Sequence, residues 1–427
     1  MRRFSRRKTL GLMIGSALLS ACGDRRQPSE EPAPKAAPLS PLPDPTGQAV
    51  SFCESATSFG ESLIDLLQQQ GPSKTQVVSP LNLAATLAML GQGARGRTAA
   101  EIAAVLRLDR AGSTLSAVGE AYASVRSRLV STPNRVAPVP ATVLTANGLW
   151  IDDALTLAPA FRATQAKAFD ARIESADLSN PATARQINAF VERATKGLIS
   201  SSVEPGDQLA TLVNTLYFKG GWLLPFEKSE TRTEPFTRAD GSKIMTSLMR
   251  RNSFYRYFES SQLQAVALSY ADFRYELVLV LPRKPGLPPK WATSALAGLG
   301  PDETNWELRE GEVIVPRLNL RIRAGVIDPL RRMGLTETLS RSPDFPGIAA
   351  QPLTIGAIAH DVVFLMDEEG VEAAAVTEAD TAAAATDPTP PPPPFTFRAD
   401  RPFGFVLREI ESKAPLLMGS VADPVSR

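Results

Sequence analysis

Glu368-Glu369-Gly370-Val371-Glu372-Ala373-Ala374-Ala375-Val376-Thr377 opens a stretch near the carboxyl end that continues through Glu378-Ala379-Asp380-Thr381 into four alanines, Ala382 to Ala385. Glu and Ala favour helix, so composition alone would make this an exposed helix or a low-complexity loop. The alternation argues for more. Every second residue from Val371 gives Val371, Ala373, Ala375, Thr377, Ala379 and Thr381, all small and uncharged, while Glu372, Glu378 and Asp380 fall on the alternate set. A strand would put the first set on one face and the charges on the other. The length of the stretch and the prolines after it, Pro390 to Pro394, suggest a loop instead. A segment compatible with loop and strand is the raw material of a conformational switch.

Working outward, Ile355–Met366 just before this stretch reads as a strand, as do Thr142–Ile151, Leu209–Phe218, Leu263–Tyr270, Tyr275–Leu281 and Glu312–Leu320. Several are apolar on both faces, as in a large sheet covered on both sides. Phe59, Leu63, Leu66 and Leu67 repeat at helical spacing, and Leu83 to Leu90 is apolar almost all round, which predicts a buried helix. Thr98 and Glu101 form a capping-box pattern ahead of Ile102, Val105 and Leu106, and a further helix is predicted from Ala182 to Thr195, stopped at Gly197. Helices and strands intermix without regular βαβ alternation, so the fold class is α+β.

The whole chain has 427 residues, 43% of them hydrophobic, enough for a sizeable core in one large or two ordinary domains. Lys plus Arg total 46 against 45 for Asp plus Glu, which leaves no broad basic footprint for nucleic acid. There is one histidine, His360, and there are two cysteines, Cys22 and Cys53. That scarcity removes most zinc sites and most catalytic triads, and no nucleophile and acid stand near His360 in sequence. An enzyme is therefore not expected, nor a metal or cofactor, and His360 reads as a buried polar strand residue.

The amino terminus has a separate role. Five basic residues within Met1–Lys8 precede the apolar run Leu10–Leu19, too short to span a bilayer comfortably and suited to an export signal over residues 1–22. It ends in Leu19-Ser20-Ala21-Cys22, which resembles the lipobox of bacterial lipoproteins and implies acylation of Cys22. Gly23 stands where that family carries Asp for inner-membrane retention, so an outer-membrane anchor is implied, facing the periplasm or the cell surface. Ser5-Arg6-Arg7-Lys8-Thr9-Leu10 also resembles a twin-arginine export signal. Residues 23–50, rich in Pro, Ala and charge, read as an extended tether, and residues 51–427 as the folded domain. With Cys22 lipidated, Cys53 has no partner for a disulfide within the chain.

The stretch Glu368 to Thr377 resembles the hinge consensus of inhibitory serpins, and other blocks of that family follow in chain order. They are Val78-Ser79-Pro80-Leu81-Asn82, Asn147-Gly148-Leu149-Trp150, Ile187-Asn188-Ala189-Phe190-Val191, Leu212-Val213-Asn214-Thr215-Leu216-Tyr217-Phe218-Lys219-Gly220-Gly221-Trp222, Arg401-Pro402-Phe403-Gly404-Phe405 and Leu417-Met418-Gly419. The resemblance runs from about Ser55 to Pro424. It implies a single domain with a five-stranded central sheet, two smaller sheets, about nine helices and an exposed reactive-centre loop at about 368–394. It also implies a monomeric serine protease inhibitor: the protease cleaves the loop, is held as an acyl-enzyme, and is trapped as the loop inserts into the central sheet.

Family spacing from Glu368 puts the scissile bond between Ala384 and Ala385, and Ala382, Ala383 or Ala385 could replace Ala384 in the protease pocket. An alanine suits elastase-like and some subtilisin-like proteases and offers a trypsin-like pocket no cation. The resemblance further places Ser79, Asn82, Asn214 and His360 beneath the part of the sheet that must open, Trp222 at the top where insertion starts, and Arg317 as a basic partner for Glu368. Opening of the sheet also allows polymerisation. Fifteen residues from Gly370 to Ala384, at ~3.3 Å each, reach about 50 Å, enough to cross a long sheet. No proline or charge stands on the inward set before the alanines. The alternative is a non-inhibitory serpin-fold binding or chaperone protein, cleaved without trapping anything.

Overall fold

The computed structural model describes residues 46–109, 112–130, 141–200, 203–206, 208–285, 306–370 and 392–425, all of which fall in one compact unit. Cys22, the tether up to residue 45 and the loop from Val371 to Pro391 lie outside them.

Two sheets and a set of helices make the body. The five-stranded sheet runs β10 (Leu318–Ala324), β11 (Ala357–Met366), β4 (Ala210–Lys219), β2 (Thr142–Ile151) and β3 (Arg172–Ser175) in that order. Its neighbours alternate between antiparallel and parallel: β10 with β11 and β4 with β2 are antiparallel, whereas β11 with β4 and β2 with β3 are parallel. Every residue of β4 except Lys219 is buried, because helices cover both faces.

On the inner face lies α2 (Pro80–Gly93), with α1 (Gly47–Gln70) packed against it. All of α2 except Gln92 is buried, as its apolar periphery requires, and Pro80 sits in its first turn where an N–H is not needed. On the outer face α6 (Pro181–Ala194) packs Ile187 and Val191 against Trp150 of β2, Val213 of β4 and Ala359 of β11. That helix therefore bridges the β4–β11 joint.

The second sheet has nine strands: β1 (Gln76–Val78), β14 (Pro415–Val421), β13 (Phe403–Glu409), β8 (Tyr275–Pro282), β7 (Leu263–Ser269), β6 (Lys243–Glu259), β9 (Glu307–Pro316) and β12 (Phe395–Arg398), with β5 (Arg232–Thr237) also on β6. The two smaller sheets expected from the sequence are thus joined into one ladder. The 17-residue β6 does this, pairing β5 and β9 along most of its length and β7 at its end. The remaining helices are α3 (Gly96–Val105), α4 (Leu115–Val130), α5 (Pro159–Phe169) and α7 (Ile327–Met333), giving seven α-helices among the described residues where about nine were expected for the chain.

Three local expectations are corrected. Glu312–Leu320 is not one strand: β9 ends at Pro316, which has no N–H to continue a ladder, and β10 begins at Leu318 in the other sheet. Thr98 and Glu101 do not cap α3, which starts two residues earlier with Arg95 at its cap position. Glu101 instead accepts hydrogen bonds from the backbone N–H groups of Glu337 and Thr338, and Thr98 Oγ1 accepts one from Asp344 N. The tether boundary near residue 50 also shifts, because Thr46 caps α1 through a 3.1 Å bond from Ala49 N, and Ala49 and Phe52 are core residues. Cys53 on the same helix is a buried free thiol whose pKa burial pushes up.

Candidate functional site

Two clusters of the residues singled out from sequence stand along the β4–β11 joint, one at its middle and one beyond the end of β11. In the middle of the sheet, His360 on β11 is the register partner of Asn214 on β4, and Asn214 is the partner of Asn147 on β2. The three polar side chains form a row across three strands. Ser79 N–H donates to His360 Nε2 at 2.9 Å, so the ring proton sits on Nδ1 and is donated to Asn214 Oδ1 at 3.0 Å. Asn214 Nδ2 donates to Asn147 Oδ1 at 2.7 Å and to Thr86 Oγ1 at 3.1 Å, and Asn147 passes the chain on to the Tyr122 hydroxyl at 3.0 Å. Asn82 Nδ2 donates to the Thr215 carbonyl at 3.0 Å, which ties α2 to β4.

His360, Asn214, Ser79 and Asn82 are all fully buried. Burial lowers the His360 pKa to about 3, so the ring is neutral, as its accepting Nε2 requires. Among the described residues the partners of the buried histidine are a backbone N–H and an amide, not the nucleophile and orienting acid that a catalytic base works between. Polar capacity is left over, since Ser79 Oγ and Asn82 Oδ1 find no hydrogen-bond partner among the described residues.

Six residues along β11, about 20 Å away, the strand ends in a turn, Asp367 to Gly370, closed by a 3.3 Å bond from Gly370 N to Asp367 O. The turn is gripped by the segment that continues from β4. Trp222 Nε1 donates to Asp367 O at 2.8 Å, Phe226 N to Glu368 O at 2.8 Å and Trp222 N to Glu369 O at 3.3 Å. The Trp222 ring stacks on Tyr270 with centroids 4.5 Å apart. Gly370 has φ +77°, and a Cβ there would stand 2.5 Å from both Gly220 O and Trp222 N, so glycine is required twice over.

Arg317, between β9 and β10, meets the Glu368 carboxylate with Nε 2.9 Å from both oxygens and Nη2 2.6 Å from one, and Thr231 Oγ1 adds a 2.5 Å bond. Burial alone would raise the pKa of this carboxyl, but Arg317 and Thr231 outweigh it and hold it below the usual carboxylate range. Lys228 pairs with Glu369 beside it. Of the hinge residues read from sequence, Glu368, Glu369 and Gly370 are therefore described, whereas Val371, Glu372, Ala373, Ala374, Ala375, Val376 and Thr377, with the bait pair Ala384 and Ala385, lie outside the described residues.

Beyond the loop the chain re-enters at β12. Phe395 stacks on Tyr257 at 3.8 Å, and Arg309 Nε donates to Pro393 O at 2.7 Å. Sequence reading missed Thr86, Tyr122, Phe226, Lys228, Thr231 and Arg309. Only Asn147 had a signal, as part of the quoted Asn-Gly-Leu-Trp block. Among the described residues no three His, Cys, Asp or Glu side chains gather as a metal site would need.

Comparison with known proteins identifies the family and the fold. The serpin (serine protease inhibitor) family model matches residues 54–424. A serine protease inhibitor of Cyanea capillata is 28% identical over 394 residues, covering 89% of this chain and 99% of that protein. Among solved structures, native protease nexin-1 with heparin superposes with a TM-score of 0.76 at 24% identity, over 88% of this chain and 100% of the other. Human thyroxine-binding globulin complexed with thyroxine gives 0.76 at 22% identity, over 88% and 99%. With a family match across most of its length and the same fold, the chain belongs to the serpins, a family of serine protease inhibitors rather than catalysts.

Proposed function

We propose that this chain inhibits small-pocket serine proteases, elastase-like or subtilisin-like, by cleavage at or beside Ala384–Ala385, acyl-enzyme trapping and insertion of the loop between β11 and β4. The observation that carries this reading is the parallel pairing of those two strands over eight residues, Ala357 to Phe364 against Thr211 to Phe218. A segment leaving the top of β11 and folding back would run antiparallel to both. One parallel ladder would become two antiparallel ones, with a net hydrogen-bond gain of about 1 kcal/mol per bond and burial of the small face of the loop. Insertion must break the His360–Asn214 bond and the Trp222 grip, and it brings new partners near the unpaired Ser79 and Asn82 atoms. Those features supply a barrier and a driving force.

The lipobox-like Cys22 supports export as an outer-membrane lipoprotein, tethered by the Pro-rich segment and monomeric until the sheet opens. Incubation with an elastase, a subtilisin and a trypsin, read on denaturing gels and by mass spectrometry, tests the reading. A denaturant-stable complex with the first or second, and a released peptide beginning near Ala385, is expected. Clean cleavage with the protease left fully active would favour a non-inhibitory binding protein instead, a role for which the likeness to thyroxine-binding globulin is a precedent of fold.

A further inference from the structure

A recess of 190 Å³ opens between β6, β7, the start of β9 and the segment after β4, and nothing in the inhibitory mechanism uses it. Trp222 and Phe226 form one wall, Leu268 and Ser269 another, and Phe254 and Leu308 the rim. The rim is unusual: Phe254 is 60% and Leu308 71% exposed, two of the few large apolar side chains on the described surface. They are diagonal neighbours on the β6–β9 pair, since Phe254 stands opposite Glu310 and Leu308 opposite Arg256. Two large apolar side chains held in water at the mouth of an apolar recess mark a binding site more often than a packing accident.

We propose that the recess binds an uncharged aromatic molecule of one or two rings, about the size of indole, and that occupancy tightens the grip on the loop's amino-terminal root. Size sets the class: a cavity of about 150 Å³ holds a benzene ring, so this one takes a ring with a fused or attached extension. Charge sets it too. Arg256 lines the recess, but its guanidinium is already bound to Glu276 at 3.0 Å, so no unmatched cation calls for an anionic ligand. Ser269 on the wall offers a hydroxyl that can accept an indole-type N–H or a phenolic O–H.

The coupling follows from shared residues. Trp222 and Phe226 line the recess, and the same two residues hold the turn after β11 through Trp222 Nε1 to Asp367 O and Phe226 N to Glu368 O. A ligand that packs on those residues binds the closed grip and not the opened one, so it shifts the equilibrium toward the closed grip. The effect on loop insertion rests on the inhibitor reading; the site and the tightened grip do not.

The test uses the full chain with 5-fluoroindole as probe, followed by fluorine NMR, and hydrogen exchange of the peptide covering residues 222–226 by mass spectrometry. Saturable line broadening is expected. A Phe254→Ser, Leu308→Asn double variant, altered only at exposed positions, should raise Kd at least tenfold. At ten times Kd the exchange of the Trp222 and Phe226 amides should slow about tenfold, the factor set by ligand binding to one of two states. Absence of saturable binding, or binding unchanged in the double variant, overturns the site, and binding with unaltered exchange overturns the coupling. A chain that binds the probe and slows exchange but traps no protease supports this inference while removing the inhibitor reading.

Discussion

His360 on β11 and Asn214 on β4 face each other in register, and the 3.0 Å hydrogen bond between Nδ1 of one and Oδ1 of the other crosses the joint where two parallel strands meet. Asn214 also donates to Asn147 and Thr86, so one amide ties β11, β4, β2 and α2 together. Replacing it with alanine strands the His360 Nδ1–H and the Asn147 Oδ1 in a dry interior. Asn214→Ala is expected to lower unfolding free energy by about 2 to 4 kcal/mol, from one to two uncompensated buried polar groups. It should also speed heat-induced oligomerisation by easing the strands apart. Urea denaturation and size-exclusion after mild heating check both, and unchanged oligomerisation would count against a role for Asn214 in sheet opening.

The neutral His360 gives a pH signature with a definite sign. Its folded pKa of about 3 lies below the ordinary 6.5, so between those values the unfolded chain holds the extra proton. Stability from this group is therefore lost as pH falls from about 6.5 towards 3, at up to about 1.4 kcal/mol per pH unit. Glu61 on α1 runs the other way: burial raises its carboxyl to about 7, so the folded chain holds the extra proton between about 4.5 and 7, and acidification across that window stabilises. The two contributions oppose each other in the native protein. His360→Gln removes one of them. The variant's stability relative to the native protein should therefore rise by about 2 kcal/mol between pH 7.5 and pH 5.0. Urea midpoints at the two pH values measure it, and a constant difference would mean that His360 is not held neutral.

The ion pair at the loop root should be lopsided. Glu368 has a side chain 2% exposed and Arg317 one 47% exposed, so removing the carboxylate leaves a guanidinium that water can reach. Removing the guanidinium leaves a buried carboxylate with the Thr231 hydroxyl as its remaining side-chain partner. Arg317→Ala is expected to cost about 2 kcal/mol and Glu368→Ala below about 1 kcal/mol, since the exposed partner is screened and the buried one is not. Equal costs in urea denaturation would show that Glu368 is better hydrated than its burial implies.

How much of this could be read beforehand depended on the kind of signal. The strands β2, β4, β7, β8 and β11 were legible within a residue or two, because runs such as Tyr275 to Leu281 are apolar on both faces and can only be buried. The β9–β10 break was not, since Glu312 to Leu320 keeps a strand-like pattern across Pro316 while the chain changes sheets, a tertiary event with no local signature. Glu101 was legible as a capping residue by spacing alone, yet its four donors come from residues 336–338, more than 200 positions away. Ser79, Asn82, Asn214, His360, Trp222, Arg317 and Glu368 emerged through resemblance to the family. Their contacts follow from the fold, and Lys228, Thr231 and Phe226 join them only because the chain after β4 returns over the turn.

A charge on the inward set of the loop provides the most direct test of insertion. If the loop enters between β11 and β4, then Val371, Ala373, Ala375, Thr377 and Ala379 turn toward the fully buried interior lined by α2 and the His360–Asn214 row, whose polar side chains are neutral. Glu378 belongs to the opposite set and stays on the outer face. In the proposed mechanism insertion competes with hydrolysis of the acyl-enzyme, so each 1.4 kcal/mol or so added to the insertion barrier shifts that competition about tenfold. An unpaired buried cation adds at least that much. Ala375→Arg is therefore expected to turn the chain from inhibitor to substrate, with at least a tenfold fall in the ratio of stable complex to cleaved product. Glu378→Arg should leave the ratio within about twofold, because its side chain keeps its water. Both variants leave every residue of the described core unchanged, so both should fold. Densitometry of denaturing gels at several protease ratios measures the partition, and an Ala375→Arg chain that still traps its protease would place that residue outside any inserted strand.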